Sequence, residues 1–286
     1  MARSGITGPE FLSVGHLSFD VHLTASGDRS LPVPGGAAAF TALTARNLTP
    51  GAVAAVVSAG PGHPFAEEQV SRIERRVVRS SANTVFEDRV IENHRMQRLL
   101  DRANRISLVN VPGPWRRPKL LLACPLLNEL PLNCRRWFAP EFAGLVPQGW
   151  FRAVADDGHI ELTAPEVERI AGPWDVIVLS RQEAEAGRDL RPWEELCDVL
   201  AVTLGDEGAE LRSGGRTIQI AATKAPRVVD PTGAGDVWAA AFSIRYAETG
   251  DAEESGRFAS AAAAICVGRP GLEGVPQSRA EVEQLL

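Results

Sequence analysis

Five short runs of this chain are apolar almost from end to end: Phe11–Val14, Ala52–Ser58, Leu120–Cys124, Val176–Leu179 and Leu200–Leu204. A strand that is apolar at every position is buried on both faces, which is the condition of a mostly parallel sheet packed between two layers. Helical stretches fall between and after these runs, at Ala37–Asn47, Phe65–Arg75, Pro165–Ile170, Val237–Glu248 and Ser255–Val267. The alternation predicts a three-layer α/β/α arrangement around a mostly parallel central sheet, with ligands at the carboxyl ends of the strands. Two stretches break the pattern. Phe19–Val33, with turn residues Ser26-Gly27-Asp28, and Asn83–Glu92 alternate apolar and polar residues, as half-exposed strands outside the main sheet do. They read as a small β lid over a cleft, or as two edge hairpins. Residues 1–10 form an N-terminal tail in this reading, and 11–286 one domain with lid strands at about 19–33 and 83–92.

Composition removes several function classes. The 286 residues are 44% hydrophobic and 23% charged, a globular balance. The net charge of −6 argues against a nucleic-acid or acidic-lipid partner. Of the basic residues only Lys119 and Lys224 are lysines, and neither follows a glycine, so the Gly-Lys-Ser/Thr phosphate loop is excluded. Cys124, Cys134, Cys197 and Cys266 form no CxxC pair, which fits reduced core thiols and a cytoplasmic location. The five histidines show no zinc spacing. Residues 1–10 lack an apolar leader segment, and the most apolar runs are too short to span a bilayer.

The chemistry is concentrated in Val228–Asp236, which runs straight into the small-residue helix Val237-Trp238-Ala239-Ala240-Ala241-Phe242. Gly233 and Gly235 let a ligand approach the backbone. The amides of residues 233–236 fall where a helix start leaves donors without internal partners, a natural anion cradle. A carboxylate at Asp236 would repel a resting phosphate. It makes sense as a base for a hydroxyl that attacks that phosphate. Three other readings stand beside this one, of which one, Asp230 as a cap of the turn, is compatible with all the rest. The glycines and Asp236 can simply shape a turn and a helix start. A dinucleotide fingerprint is disfavoured, because the pattern here is GxGxxW and lies near the end of the chain rather than in an opening βαβ unit.

At this motif the sequence resembles the ribokinase-like (PfkB) carbohydrate kinases, whose D-T-x-G-A-G-D signature stands here as Asp230-Pro231-Thr232-Gly233-Ala234-Gly235-Asp236. Pro34-Gly35-Gly36-Ala37-Ala38-Ala39-Phe40 is similar to the family's N-terminal glycine pair. Val202–Gly208 is similar to its T-x-G-x-x-G nucleotide element, and Ser180-Arg181-Gln182-Glu183 stands where N-x-x-E is usual. The resemblance implies an ATP-dependent kinase for a hydroxyl of a small sugar or polyol. It implies Asp236 as base, with Gly233, Ala234 and Gly235 donating amides to the moving phosphoryl. Asp20, Gly35, Gly36 and Arg152 would bind the acceptor, and Thr203, Gly205 and Gly208 would lie along ATP. Glu183 would organise Mg²⁺ through water, while Asp230 and Thr232 match positions that hold a monovalent cation such as K⁺ in some members. A homodimer through the lid strands is also implied. Ala37–Phe40 replaces the G-x-x-N of ribokinases. The GGAAAF form, NTVFED with Arg95-Met96-Gln97-Arg98, and Pro147-Gln148-Gly149-Trp150-Phe151-Arg152 look more like the inositol-kinase-like branch. The alternatives are a nucleoside kinase, with Phe40 as the stacking ring, and a catalytically silent sugar-binding regulator.

Overall fold

The computed structural model describes residues 8–23, 27–68, 70–91 and 94–286. Ser26 of the expected turn, Glu92 and residues 1–7 of the expected tail lie outside them. Among the described residues, nine strands form the central sheet. Its seven parallel strands are, in spatial order, β13 (Cys197–Thr203), β12 (Trp174–Ser180), β9 (Phe142–Leu145), β8 (Leu120–Ala123), β1 (Phe11–His16), β4 (Val53–Ala59) and β5 (Ile73–Arg79). An antiparallel hairpin, β14 (Ala209–Ser213) and β15 (Arg216–Ile220), extends the β13 edge. Every residue of β1 and β4 is buried, which explains their unbroken apolar runs.

Successive residues of each strand feed opposite faces. Phe11, Val53, Leu122, Val176 and Ala201 meet three long helices: α1 (Ala37–Leu48), α5 (Ala234–Thr249) and α6 (Ala252–Cys266). Alanine crowds the buried sides of these helices, so they pack closely on one another and on the sheet. Leu12, Val14, Leu121, Ile177 and Leu200 face the other way. That second layer is thinner than the sequence suggests. It is built from short helices such as α3 (Arg181–Gly187) and α4 (Arg191–Glu194), from 3₁₀ turns, and from bulky rings. Trp115, Trp150, Trp174 and Trp193 fill the space that long helices would occupy, with Phe151 stacked on Trp193 at 5.4 Å.

Two expected helices are corrected. Among the described residues of Phe65–Arg75, which exclude Gln69, only those of α2 (Pro64–Glu67) are helical; Arg72 turns the chain at φ 63, and Ile73–Arg79 joins the sheet edge as β5. β-branched Ile73, Val77 and Val78 suit that strand better than a helix. Pro165–Ile170 holds only a 3₁₀ turn, Val167–Arg169, with too few residues to nucleate an α-helix.

The second sheet has four strands in the order β3 (Val33–Gly35), β2 (Ser18–Leu23), β6 (Thr84–Ile91) and β7 (His94–Asp101). The two alternating stretches therefore pair with each other, with β2 and β6 parallel, and β7 is a strand that the pattern did not supply. Where β3 gives way to α1 the chain brushes past the end of β1. A Cβ at Gly36 (φ 105) would fall 2.7 Å from both His16 O and Leu17 Cα. A further small pair, β10 (Arg152–Val154) and β11 (Ile160–Leu162), lies near β7, and α7 (Arg279–Glu283) packs on α6. No helix among the described residues is long and apolar enough to cross a membrane.

Candidate active site

The chain runs from β1 through the lid and α1 to β4 on one side, then resumes at β8 on the other. This reversal opens a crevice at the carboxyl ends of the parallel strands. A cleft of about 900 Å³ lies there. Its lid end is lined by Ser18, Asp20, Phe86, Gln97, Gln148 and Arg152. At its hairpin end are Thr203, Gly205, Gly208, Lys224, Ala263 and Val267. Thr232–Asp236 and Glu183 also face it, so the structure gathers residues from six widely separated segments into one cavity.

The helix starts differ in a telling way. α3, α6 and α7 are capped by the side chains of Ser180, Asp251 and Ser278. α1 and α5 begin on Gly36 and Gly233 with no capping side chain, and both of these starts line the cleft. The first-turn amides of α5 thus lack both an internal partner and a side-chain cap. Ala234 is an exception among the expected trio of phosphoryl donors, since its N–H donates to Pro231 O at 3.2 Å. Gly233 sits at φ 78, and a Cβ there would meet the Phe40 ring at 2.3 Å. Phe40 therefore presses one side of its ring against the turn, and it also lines the cleft. At Gly235 a Cβ would meet nothing within 4 Å.

Asp236 occupies the first turn of α5, deep in the cleft. Its pKa is pushed up to about 7, chiefly by burial; Arg152 opposes the rise, while Glu183 and Asp20 add to it. Arg152 is fixed rather than solvated: Nη1 donates to Leu126 O at 3.0 Å and the guanidinium lies 4.9 Å from the centre of the Phe86 ring. Asp20 stands on β2 and is buried. Gly35 is not in the cleft wall but directly behind Asp20, where a Cβ would fall 3.0 Å from Asp20 Oδ2.

Glu183 is buried, and burial raises its pKa against the pull of the Ser180 hydrogen bonds and the Arg152 charge. Its Oε2 accepts the Ser180 N–H at 2.7 Å, and its own N–H donates to Ser180 Oγ at 3.3 Å. Ser180 thus serves as the N-cap of α3, a place that serine and asparagine fill equally well. Asp230 turns both oxygens to backbone donors, Oδ1 to the Thr232 N–H and Oδ2 to the Gly271 N–H, each at 2.9 Å. It fastens two loops and is not among the described residues lining the cleft, unlike Thr232. No three His, Cys, Asp or Glu side chains among the described residues cluster to hold a metal. The cysteines are free, and burial pushes all four thiols up to about 12, as fits inert core thiols.

Ser18, Gln97, Gln148, Arg181 and Lys224 also line the cleft without having been singled out as site residues. Gln97 and Gln148 lie inside the two short stretches that resembled the inositol-kinase-like branch, and that was their only signal.

A parallel α/β sheet with a bare helix start and a raised carboxyl at its strand ends has room and donors for an anion where strand order reverses. Residues 160–278 match the pfkB family of carbohydrate kinases. An uncharacterized sugar kinase of Archaeoglobus fulgidus is 35% identical over 121 residues, 40% of this chain and 48% of that protein. The chain spans less than half the length of the curated relatives it matches. Among solved structures, a pyrophosphate-dependent kinase in the ribokinase family, complexed with a pyrophosphate analog and myo-inositol, is similar with a TM-score of 0.77. The identity is 20%, over 96% of this chain and 99% of that one. Arabidopsis thaliana ribokinase, complexed with ribose and ATP, gives a TM-score of 0.71 at 19% identity, over 98% of this chain and 99% of that one. Residues 160–278 are thus similar to the pfkB family, and over nearly its whole length the chain has the fold of the ribokinase-family kinases.

Proposed function

We propose that this protein is a kinase that moves the terminal phosphoryl of ATP to a hydroxyl of a small polyol or sugar, with an inositol-like acceptor favoured. The observation that carries this reading is Asp236: a carboxyl held near neutrality beside the bare first turn of α5. A carboxylate of ordinary acidity is a weak base, and one with a pKa near the working pH accepts a proton far more readily. In the proposed reaction the acceptor oxygen gives its proton to Asp236 and forms a bond to the phosphorus. The bond from that phosphorus to the leaving ADP oxygen breaks. The amides of Gly235 and Asp236 stabilise the charge that develops on the moving group.

The lid end suits a polyol. Asp20, Gln97, Gln148, Arg152 and Ser18 offer donors and acceptors from several directions. Both nearby rings are buried, Phe40 against Gly233 and Phe86 beneath Arg152, which leaves little ring surface to stack on a base. That favours a polyol over a nucleoside, and a raised base in the cleft has no use in a silent binder. The hairpin end, with the small side chains of Ala222, Ala263, Ala264 and Val267, leaves room for a flat base. Mg²⁺ fits as an ion that arrives with the donor, because magnesium keeps its waters and needs few protein ligands. Glu183, with one oxygen beyond its cap bond, would hold it through water, and the ion would supply neutralisation of phosphate charge. The lid sheet would cover the acceptor and exclude water.

An ADP-release screen over inositols, hexoses, pentoses and nucleosides tests this. Turnover with an inositol or another polyol is the expected result; turnover with nucleosides alone would replace the acceptor class, and none at all would favour the silent binder. The pH profile is a separate check. Because Asp236 must be ionised to act, kcat/KM should fall about tenfold per pH unit below about 7 and level off above it. A flat profile from about pH 5 to about pH 8 would remove Asp236 as the base.

A further inference from the structure

Arg181 has no part in the reading above, yet it faces the same cleft. It is the first residue of α3, directly after Ser180 at the carboxyl end of β12. The Ser180–Glu183 cap fixes that helix start, so the stem of Arg181 leaves from a rigid point. Its Nη2 donates to Leu204 O at 3.2 Å and pairs with Glu207 Oε1 at 2.7 Å. Leu204 and Glu207 belong to the turn that follows β13, the parallel neighbour of β12. The ion pair therefore spans the gap between two adjacent strand ends, at the hairpin end of the cleft.

Charge makes this placement hard to explain as a surface contact alone. Asp20, Glu183, Asp206 and Asp236 line the cleft, against the cations Arg152, Arg181 and Lys224. Arg152 is anchored at the lid end by Leu126 O and the Phe86 ring. A polyphosphate arriving among these carboxylates needs cations at its own end, where Lys224 and Arg181 stand, and of the two a guanidinium is the better matched to phosphate oxygens. Arg181 and Glu207 are 42% and 66% exposed, so solvent screens their pairing and breaking it shifts an equilibrium by only about fivefold or less.

We propose that Arg181 is a donor-phosphate contact that Glu207 holds in reserve, and that the guanidinium leaves Glu207 for the donor's phosphates on binding. The ligand chemistry is a phosphoanhydride, P–O–P, present in both ATP and inorganic pyrophosphate. This inference rests on the kinase reading and adds a residue with its resting partner.

Calorimetric binding of ATP, pyrophosphate and adenosine to the full chain, with Mg²⁺ present, tests it. Arg181→Gln should weaken ATP and pyrophosphate by about tenfold or more, the usual loss for a charge-assisted contact, and leave adenosine unchanged. Glu207→Gln should act oppositely, tightening ATP and pyrophosphate by up to about fivefold, because it removes the competing carboxylate. A loss shared by ATP and pyrophosphate would support a contact on the anhydride common to both, and a loss confined to ATP would overturn it. Unchanged ATP and pyrophosphate affinity in Arg181→Gln, or an equal loss for adenosine, would overturn the assignment. Weaker donor binding in Glu207→Gln would also overturn it, since the pair would then be a brace and not a reserve. A wild-type chain that binds neither ATP nor pyrophosphate would instead remove the kinase reading, and this inference with it.

Discussion

Asp236→Asn should lower turnover by ~10²–10⁴ while ATP binding survives, the range expected when a general base is lost and its surroundings stay in place. Asparagine keeps the size and the polar atoms of the side chain but cannot take a proton at neutral pH. Single-turnover phosphoryl transfer and calorimetric ATP binding separate the two effects. Near-normal turnover would end the assignment of the base. The same substitution should stabilise the fold. Burial lifts the folded-state pKa of Asp236 to about 7, from an ordinary value of 3.8. Folding therefore favours the protonated form, and ionisation weighs against the native state as pH rises from about 4 to about 7. Above that range the penalty is fully present, and the asparagine variant should be more stable by ~1–3 kcal/mol, after allowance for the partly open cleft. Near pH ~4 the two proteins should melt together. Melting temperatures across this range supply the check, and a wild-type advantage at high pH would mean that Asp236 is held by a partner that needs its charge.

The central sheet was legible because burial on both faces leaves its mark at every position. All five apolar runs lie on parallel strands; four of the strands are as long as the run or longer, and β8 stops one residue short of Cys124. The edge was less legible. Ile73–Arg79 carries Glu74, Arg75 and Arg76, which a central strand would not tolerate, and this charge made it resemble a helix face. The β14–β15 hairpin did have a local signal, Gly214-Gly215 between two short strands, where positive φ at both residues suits a two-residue turn. The thin second layer had none, because tryptophans placed singly over irregular turns have no period. The site divides in the same way. Gly233–Asp236 is contiguous and its helix-start chemistry is local, so the sequence displays it. Gln97, Gln148 and Arg181 come together only through tertiary structure. Asp230 opens the motif, and its two amide bonds fasten the loop, as the turn-cap reading of that residue expects.

Gly233 and Gly235 are two residues apart in one motif and should fail in different ways. Gly233→Ala places a methyl group 2.3 Å from the Phe40 ring, on a backbone at φ 78. The left-handed backbone costs roughly 1–2 kcal/mol and the overpacking roughly 1–3 kcal/mol more, so the variant should melt at a lower temperature and lose turnover as the turn shifts. Gly235→Val meets no protein atom within 4 Å of its Cβ. A valine in a helix is no worse than a glycine, so its melting temperature should stay close to the wild type. Its side chain would project into the space where the moving phosphoryl is expected, beside first-turn amides that no side chain caps. ATP affinity and turnover should both fall by at least about tenfold, because loss of a charge-assisted contact removes roughly 1.5–3 kcal/mol. Adenosine, which has no phosphate, should bind as before. The two variants thus separate the shape of the turn from the anion that it receives. If Gly235→Val kept full affinity for ATP, the α5 helix start would not be the cradle, and Asp236 would have to act on a phosphate held somewhere else in the cleft.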